Sequence, residues 1–220
     1  MKKVVIFGTT DFAEIAHYCL SNNPEYEVVC FTIDSEYLIK KEFSNLPVFE
    51  FETIEENFPP SDYYMFIAVG YNKMNKAREK KYFDAKNKGY ELITYISPNA
   101  SVYNNVKIGD NCFIFEDNTL QPFTQVGNNT ILWSGNHLGH HSIIGDNCFI
   151  TSHVVIAGRV NIGDNSFIGI NSTIRDNVNI GKENLIGAGS LILKDTEERA
   201  VYSPEETVKS KVPSNRLRGI

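Results

Sequence analysis

The chain has 220 residues, enough for one or two domains, and carries a formal net charge of −6 without any basic run. That balance argues against nucleic acid or an anionic membrane as partner. No apolar run approaches the ~18–20 residues of a membrane-crossing helix, and the basic start at Met1-Lys2-Lys3 leads only into a four-residue apolar run, so no signal peptide is read.

Residues 4–7 form a continuous apolar run ending at Gly8 and read as a buried strand. Residues 11–21 carry Phe12, Ala13, Ile15, Ala16, Cys19 and Leu20 at helical spacing. A second strand is expected over 28–33, closed by Asp34, a short third over 46–49, and another over 64–69, closed by Gly70. A charged helix from Lys73 to about Lys88 and a strand over 91–96 complete this part. Strands alternating with helices indicate a parallel α/β sheet, which binds ligands at its strand C-termini. The turn Gly8-Thr9-Thr10-Asp11-Phe12-Ala13 lacks the G-x-G-x-x-G fingerprint, so an intact dinucleotide site is not expected, and a plain structural turn competes with a ligand-binding one. Asp34 stands where an acid can accept ribose or base hydrogen bonds, which points to a mononucleotide or nucleotide-sugar more than to NAD.

From Ile96 the pattern changes to a period of six. Every sixth residue from Ile96 to Ile192 is aliphatic, seventeen positions without a slip, often followed by Gly. The residue four further on is usually small or short-branched. A period of six fits neither a helix nor an alternating strand and signals a repeat architecture. The expectation is a parallel β-helix of triangular coils, three hexapeptides per coil. The aliphatic residue points inward and the small one fills the space beside it, while Gly or Asn tolerates positive φ at the corners. Cys112 and Cys148 occupy the small slot; with Cys19 and Cys30 they show no CxxC spacing and read as reduced core residues of a cytoplasmic protein.

His17 lies in the first helix and reads as structural. His137, His140, His141 and His153 fall within seventeen residues of the repeat, none in the inward slot. His140 and His141 follow Leu138 at a corner, where a side chain can reach the surface and act as a general base; exposed polar corner residues are the plainer alternative. Zinc finds little support. His137 and His141 are not on a helix, and the residues one coil either side of His153 are Gly135 and Asn171, so no histidine column forms.

Several segments together resemble the sugar acetyltransferases of the left-handed β-helix (hexapeptide-repeat) superfamily: Ile6-Phe7-Gly8, Asp34, Ala68-Val69-Gly70-Tyr71-Asn72, Lys88-Gly89-Tyr90, residues 96–100 and the histidine block. The branch is the one with an N-terminal Rossmann-like domain: bacillosamine-pathway and perosamine N-acetyltransferases and sialic acid O-acetyltransferase-like proteins. The resemblance implies a Rossmann-like nucleotide-sugar-binding domain over 1–95, a left-handed parallel β-helix acyltransferase domain over 96–197 and a C-terminal tail over 198–220. It implies a homotrimer with active sites between subunits, acetyl-CoA as acyl donor, no metal, and a nucleotide-linked amino sugar as acceptor. Gly8, Asp34, Gly70 and Asn72 are the implied nucleotide-sugar residues.

In the family's His-acid-x-x-[Ile/Leu/Val]-Gly motif the base falls on His140, and the acid position is occupied by His141, a departure that leaves either imidazole as candidate base. Backbone contacts to the acetyl-CoA arm map to Gly158, Ile170 and Ala188. A second family histidine falls on Phe149, with His153 as substitute. The implied activity is N-acetylation of the sugar by direct transfer, in polysaccharide or glycan biosynthesis. The alternatives are O-acylation of a sugar hydroxyl and a non-catalytic or zinc-binding β-helix scaffold.

Overall fold

The computed structural model describes residues 1–216, so the last four positions assigned to the tail, 217–220, lie outside the described residues. The first part is an α/β unit built on β1 (Lys2–Phe7), α1 (Asp11–Ser21), β2 (Tyr26–Ile33), β3 (Glu42–Phe43), β4 (Leu46–Glu50), β5 (Tyr64–Ile67) and α2 (Lys76–Asn87). Strand order is β3-β4-β2-β1-β5, with β1, β2, β4 and β5 parallel and β3 antiparallel at the edge. Val4, Val5 and Ile6 are fully buried because both faces of β1 are covered, as their unbroken apolar run requires.

Two details differ from the reading of the sequence. The charged helix starts at Lys76, three residues later than expected, because Lys73, Met74 and Asn75 all take left-handed backbone (φ 53, 52 and 64). Residues 91–96 hold only a bridge from Leu92 to Met65 and the pair Tyr95–Ile96, because the chain leaves the first sheet there to start the coils.

The rest is a left-handed parallel β-helix of two-residue strands, stacked in three sheets with an eighteen-residue register such as His137↔Val155 and Leu138↔Ile156. The aliphatic column is the core: Leu120, Leu132, Leu138, Ile150, Ile156, Ile168, Ile174 and Ile186 are all fully buried. Ile96 departs from the pattern at 38% exposed, since it stands in the first coil with nothing stacked below it. Cys112 and Cys148 are buried in the small slot as free thiols, and burial pushes each up to about 12.

Asn and Gly take the positive φ of the corners as expected, at the third residue after the aliphatic one (Asn111, Asn129, Gly135, Asn147, Asn165, Gly189), joined there by His141 and His153; the glycine directly after the aliphatic residue does not take it. That glycine is required by close approach: a Cβ on Gly139 would lie 2.6 Å from the Ala157 carbonyl carbon of the next coil.

The three corners carry different residues. The first stacks Phe123, His140-His141, Gly158-Arg159 and Asp176-Asn177, through links such as Arg159 N–H to His140 O at 2.9 Å. The second stacks Ser134-Gly135, Ser152-His153, Ile170-Asn171 and Ala188-Gly189. The third is a run of Asx pairs from Asp110-Asn111 to Asp164-Asn165.

The α/β unit packs on the face between the third and second corners. The outward residues of that face are aromatic or aliphatic (Tyr95, Phe113, Ile131, Phe149) and are buried against Phe12, Ala13 and Ala16 of α1. The Phe12 ring meets those of Phe113 and Trp133 edge-on at 5.3 and 5.6 Å.

Candidate functional site

His140 and His141 form the tight turn of the first corner, both exposed. The Gln121 side-chain oxygen accepts from the His140 N–H at 2.9 Å, and the His141 ring stacks on Phe123 at 4.7 Å and 30°. The two imidazoles meet Nδ1 to Nδ1 at 3.1 Å. One of these nitrogens must carry the proton and the other accept it. If His140 Nδ1–H donates to His141, the His140 Nε2 lone pair is free and can take a proton; the reverse tautomer leaves Nε2 protonated and unable to act as a base.

The His140 ring lies over Gly158, where an added Cβ would come within 2.8 Å of Nε2. Gly158 therefore makes room for the imidazole. Its N–H is taken by Asp176 Oδ1 at 3.0 Å, and that oxygen also lies 3.3 Å from the same hypothetical Cβ. A carboxylate thus stands across Gly158 from the His140 ring, on the same corner. Two coils separate Asp176 from His140, so the adjacent-residue motif gave no signal for it.

The other sequence-derived acetyl-CoA residues lie elsewhere. Ile170, Ala188 and His153 share the second corner, with the His153 ring packed over Gly135. Among the described residues no hydrogen-bond partner is found for the N–H groups of Ile170 and Ala188, whereas that of Gly158 is occupied. Two outward amides on one corner suit the carbonyls of an extended amide-bearing arm. The first and second corners are separated by one six-residue side, roughly 15–20 Å, so one chain does not bring His140 to this column.

Beside the second corner a cavity of about 460 Å³ opens between the two parts of the chain, lined by Phe12, Ile15, Tyr71, Trp133, Phe149 and Ile170, with Asp11, Gly70, Thr151 and Ser152 at its polar points. Of the four sequence-derived nucleotide-sugar residues only Gly70 lines it. Gly8 sits against the Ala68 carbonyl at the ends of β1 and β5, Asn72 is exposed, and Asp34 is ion-paired with Lys81. Phe149 is 7% exposed and stacks between Trp133 and Phe167.

One residue without a sequence signal holds this arrangement. Arg78 is fully buried with no ion pair among the described residues. It donates to Gly70 O and Asn147 O at 2.8 Å, to Cys148 O at 3.0 Å, and to Asn129 O and Asn75 Oδ1 at 3.1 Å. Burial lowers it to about 10. A planar fork of five donors can satisfy this many carbonyls from two directions; an ammonium cannot. Arg78 therefore ties the loop that carries Gly70 and Tyr71 to the third corner.

Among the described residues no group of three His, Cys, Asp or Glu side chains converges as a metal site, and no helix is long and apolar enough to cross a membrane.

The bacterial transferase hexapeptide family (six repeats) matches residues 123–158 and 159–194. Among solved structures, a variant of perosamine N-acetyltransferase from Caulobacter crescentus, in complex with CoA and GDP-perosamine, is 21% identical, with TM-score 0.82 over 91% of this chain and 93% of that one. The acetyltransferase domain of PglB from Neisseria gonorrhoeae is 20% identical, with TM-score 0.83 over 91% and 96%. WeeI from Acinetobacter baumannii is 17% identical, with TM-score 0.70 over 91% and 96%. A search of curated proteins finds no match. The likeness is one of fold and extends over both parts of the chain.

Proposed function

We propose that the protein is an acetyl-CoA-dependent N-acetyltransferase acting on a nucleotide-linked amino sugar, with His140 as general base. The observation that carries this reading is the His140–His141 contact, which fixes one imidazole nitrogen and leaves the other open at an exposed corner. The CoA and GDP-perosamine bound to the fold relative support the pairing of substrates. The amine lone pair attacks the thioester carbonyl carbon while His140 Nε2 takes the amine proton. The tetrahedral oxyanion is held by an outward N–H of the second corner. It collapses with C–S cleavage, and the thiolate recovers the proton from His140, giving amide and free CoA. No cysteine is required as nucleophile; Cys112 and Cys148 are buried and their thiols are held protonated.

Because the base and the amide column occupy different corners, we propose a homotrimer in which the first corner of one subunit faces the second corner of its neighbour. Residues 1–95 would bind the nucleotide-sugar, 96–197 the donor, and 198–220 form the tail. Gly8, Asp34, Gly70 and Asn72 would serve the nucleotide, and Ile170, Ala188 and His153 the donor, while Gly158, expected among the donor contacts, has its N–H and carbonyl taken by Asp176 and Asn177 and would instead make room for the His140 ring. Asp176 supplies a negative charge for the His140 imidazolium, which His141 cannot. Four free, buried thiols and the absence of any CxxC pair suit a cytoplasmic role in polysaccharide or glycan biosynthesis.

The test is a thermal-shift and calorimetry series with acetyl-CoA, UDP, dTDP and GDP. A ligand at 100 times its Kd adds about 2.7 kcal/mol of apparent stability. Stabilisation by acetyl-CoA and one nucleotide is expected; binding of acetyl-CoA alone would replace the nucleotide-linked acceptor, and binding of neither would overturn the assignment.

A further inference from the structure

The α/β unit covers one face of the β-helix and leaves two bare, and those two differ in chemistry. The face between the first and third corners is polar. Apart from Ile143 its outward residues are Lys107, Gln125, Asn161 and Asn179. The face between the first and second corners stacks Ser101, Thr119, His137, Val155, Thr173 and Leu191, one coil apart. His137 is the only one of the six that ionises. In the single chain Val155 is 43% and Leu191 63% exposed. Bare apolar side chains on a face without Asp, Glu, Lys or Arg suit burial between copies.

The homotrimer proposed above sets the first corner of each subunit against the second corner of the next. This face spans those two corners, so three copies of it enclose the threefold axis. Each side is roughly 15–20 Å long, and the centre of an equilateral triangle of that size lies only about 4–6 Å from each edge. Side chains at the middle of the face therefore meet their own copies on the axis. His137 stands at that middle, between the Ser134-Gly135 corner and the His140-His141 corner.

Its backbone N–H is bonded to the Val154 carbonyl at 3.0 Å, and its ring has no hydrogen-bond partner among the described residues. Thr119 lies directly below it and Val155 directly above, both short enough to leave the ring free to turn inward. The Thr119 hydroxyl can accept the second ring N–H, the contact that orients a ligating imidazole. Three neutral imidazoles on one axis supply three of the four ligands of tetrahedral zinc and leave the fourth position open. Along a single chain no histidine column forms, so the set exists only in the assembly.

We propose that His137 and its two symmetry copies form a structural site for a divalent transition metal, Zn²⁺ by its ligand set, on the trimer axis. The inference rests on the trimer reading above and adds to it a site that no single subunit contains. The metal holds the three faces together and takes no part in acyl transfer, whose groups stand at the corners.

The test uses untagged protein stripped with EDTA, dialysed against Zn²⁺ and passed through gel filtration. Elemental analysis is expected to give about one zinc per three chains, with light scattering reporting a trimer. His137→Asn is expected to lower bound zinc at least ~10-fold, and His140→Ala to retain it. Zinc should raise the thermal midpoint of the wild-type trimer and leave that of His137→Asn unchanged. One zinc per chain, or zinc kept by His137→Asn, would assign the metal to other side chains and overturn the proposal. A trimer that holds no zinc would also overturn it while leaving the acyltransferase reading intact. A monomer would remove the axial site and the shared active site together.

Discussion

His140 and His141 face each other through their Nδ1 atoms at 3.1 Å, the second ring pinned against Phe123. An imidazole in the acid position orients its neighbour by hydrogen bonding alone, because it carries no negative charge when neutral.

Replacing His140 with Ala should therefore lower kcat by ~10²–10⁴, and His141→Ala by less, since only orientation is lost. His141→Glu should move the acidic limb of the kcat/KM profile to higher pH, because a carboxylate favours the imidazolium form. Steady-state rates across pH decide this. Equal losses for the two alanine variants would make the base assignment ambiguous, and a larger loss at His141 would transfer it.

Gly158→Ala should impair catalysis more than folding. The added methyl occupies the space of the His140 ring, 2.8 Å from Nε2, and an exposed ring can swing away. The expected result is a fall in kcat of at least ~10-fold with an unchanged urea midpoint. Gly139→Ala, whose methyl would strike Ala157 backbone, should instead cost roughly 1–3 kcal/mol of stability.

Arg78→Met should destabilise the protein by about 3 kcal/mol, because the carbonyls of Gly70, Asn129, Asn147 and Cys148 lose their donor together. Arg78→Lys should recover only part of this, having no planar fork. Urea unfolding with Trp133 emission as probe measures both.

His17 gives a pH dependence of stability. Burial holds its imidazole below the ordinary histidine value, and its ring stands edge-on to Phe31 at 5.4 Å. The unfolded chain takes up the proton first, so stability is full above ~6.5 and declines as pH falls through the lowered folded value. Unfolding midpoints at pH 7.5 and 5.5 should differ less in His17→Gln than in the wild-type chain.

The sequence by itself determined the β-helix. Each aliphatic position from Leu120 to Ile186 reports burial through a strict period, and a period survives any uncertainty about loops. It also marked the histidine corner, since residues two and three after Leu138 must leave the coil. The aromatic stripe Phe113, Phe149 and Phe167 was in principle readable at the outward position of every third hexapeptide. What it packs against was not, because α1 lies about a hundred residues away in sequence.

Tertiary structure alone decided the remainder. Glycine after the aliphatic residue serves contact between coils, which a φ-based argument misses. Arg78 looked like one more charge on a charged helix, yet it is buried against carbonyls fifty to seventy residues away. Asp176 reaches the His140 corner, and Asp11 the mouth of an aromatic cavity, only because coils and domains stack. Periodicity encodes which way a side chain faces; which distant groups it then meets is fixed by packing.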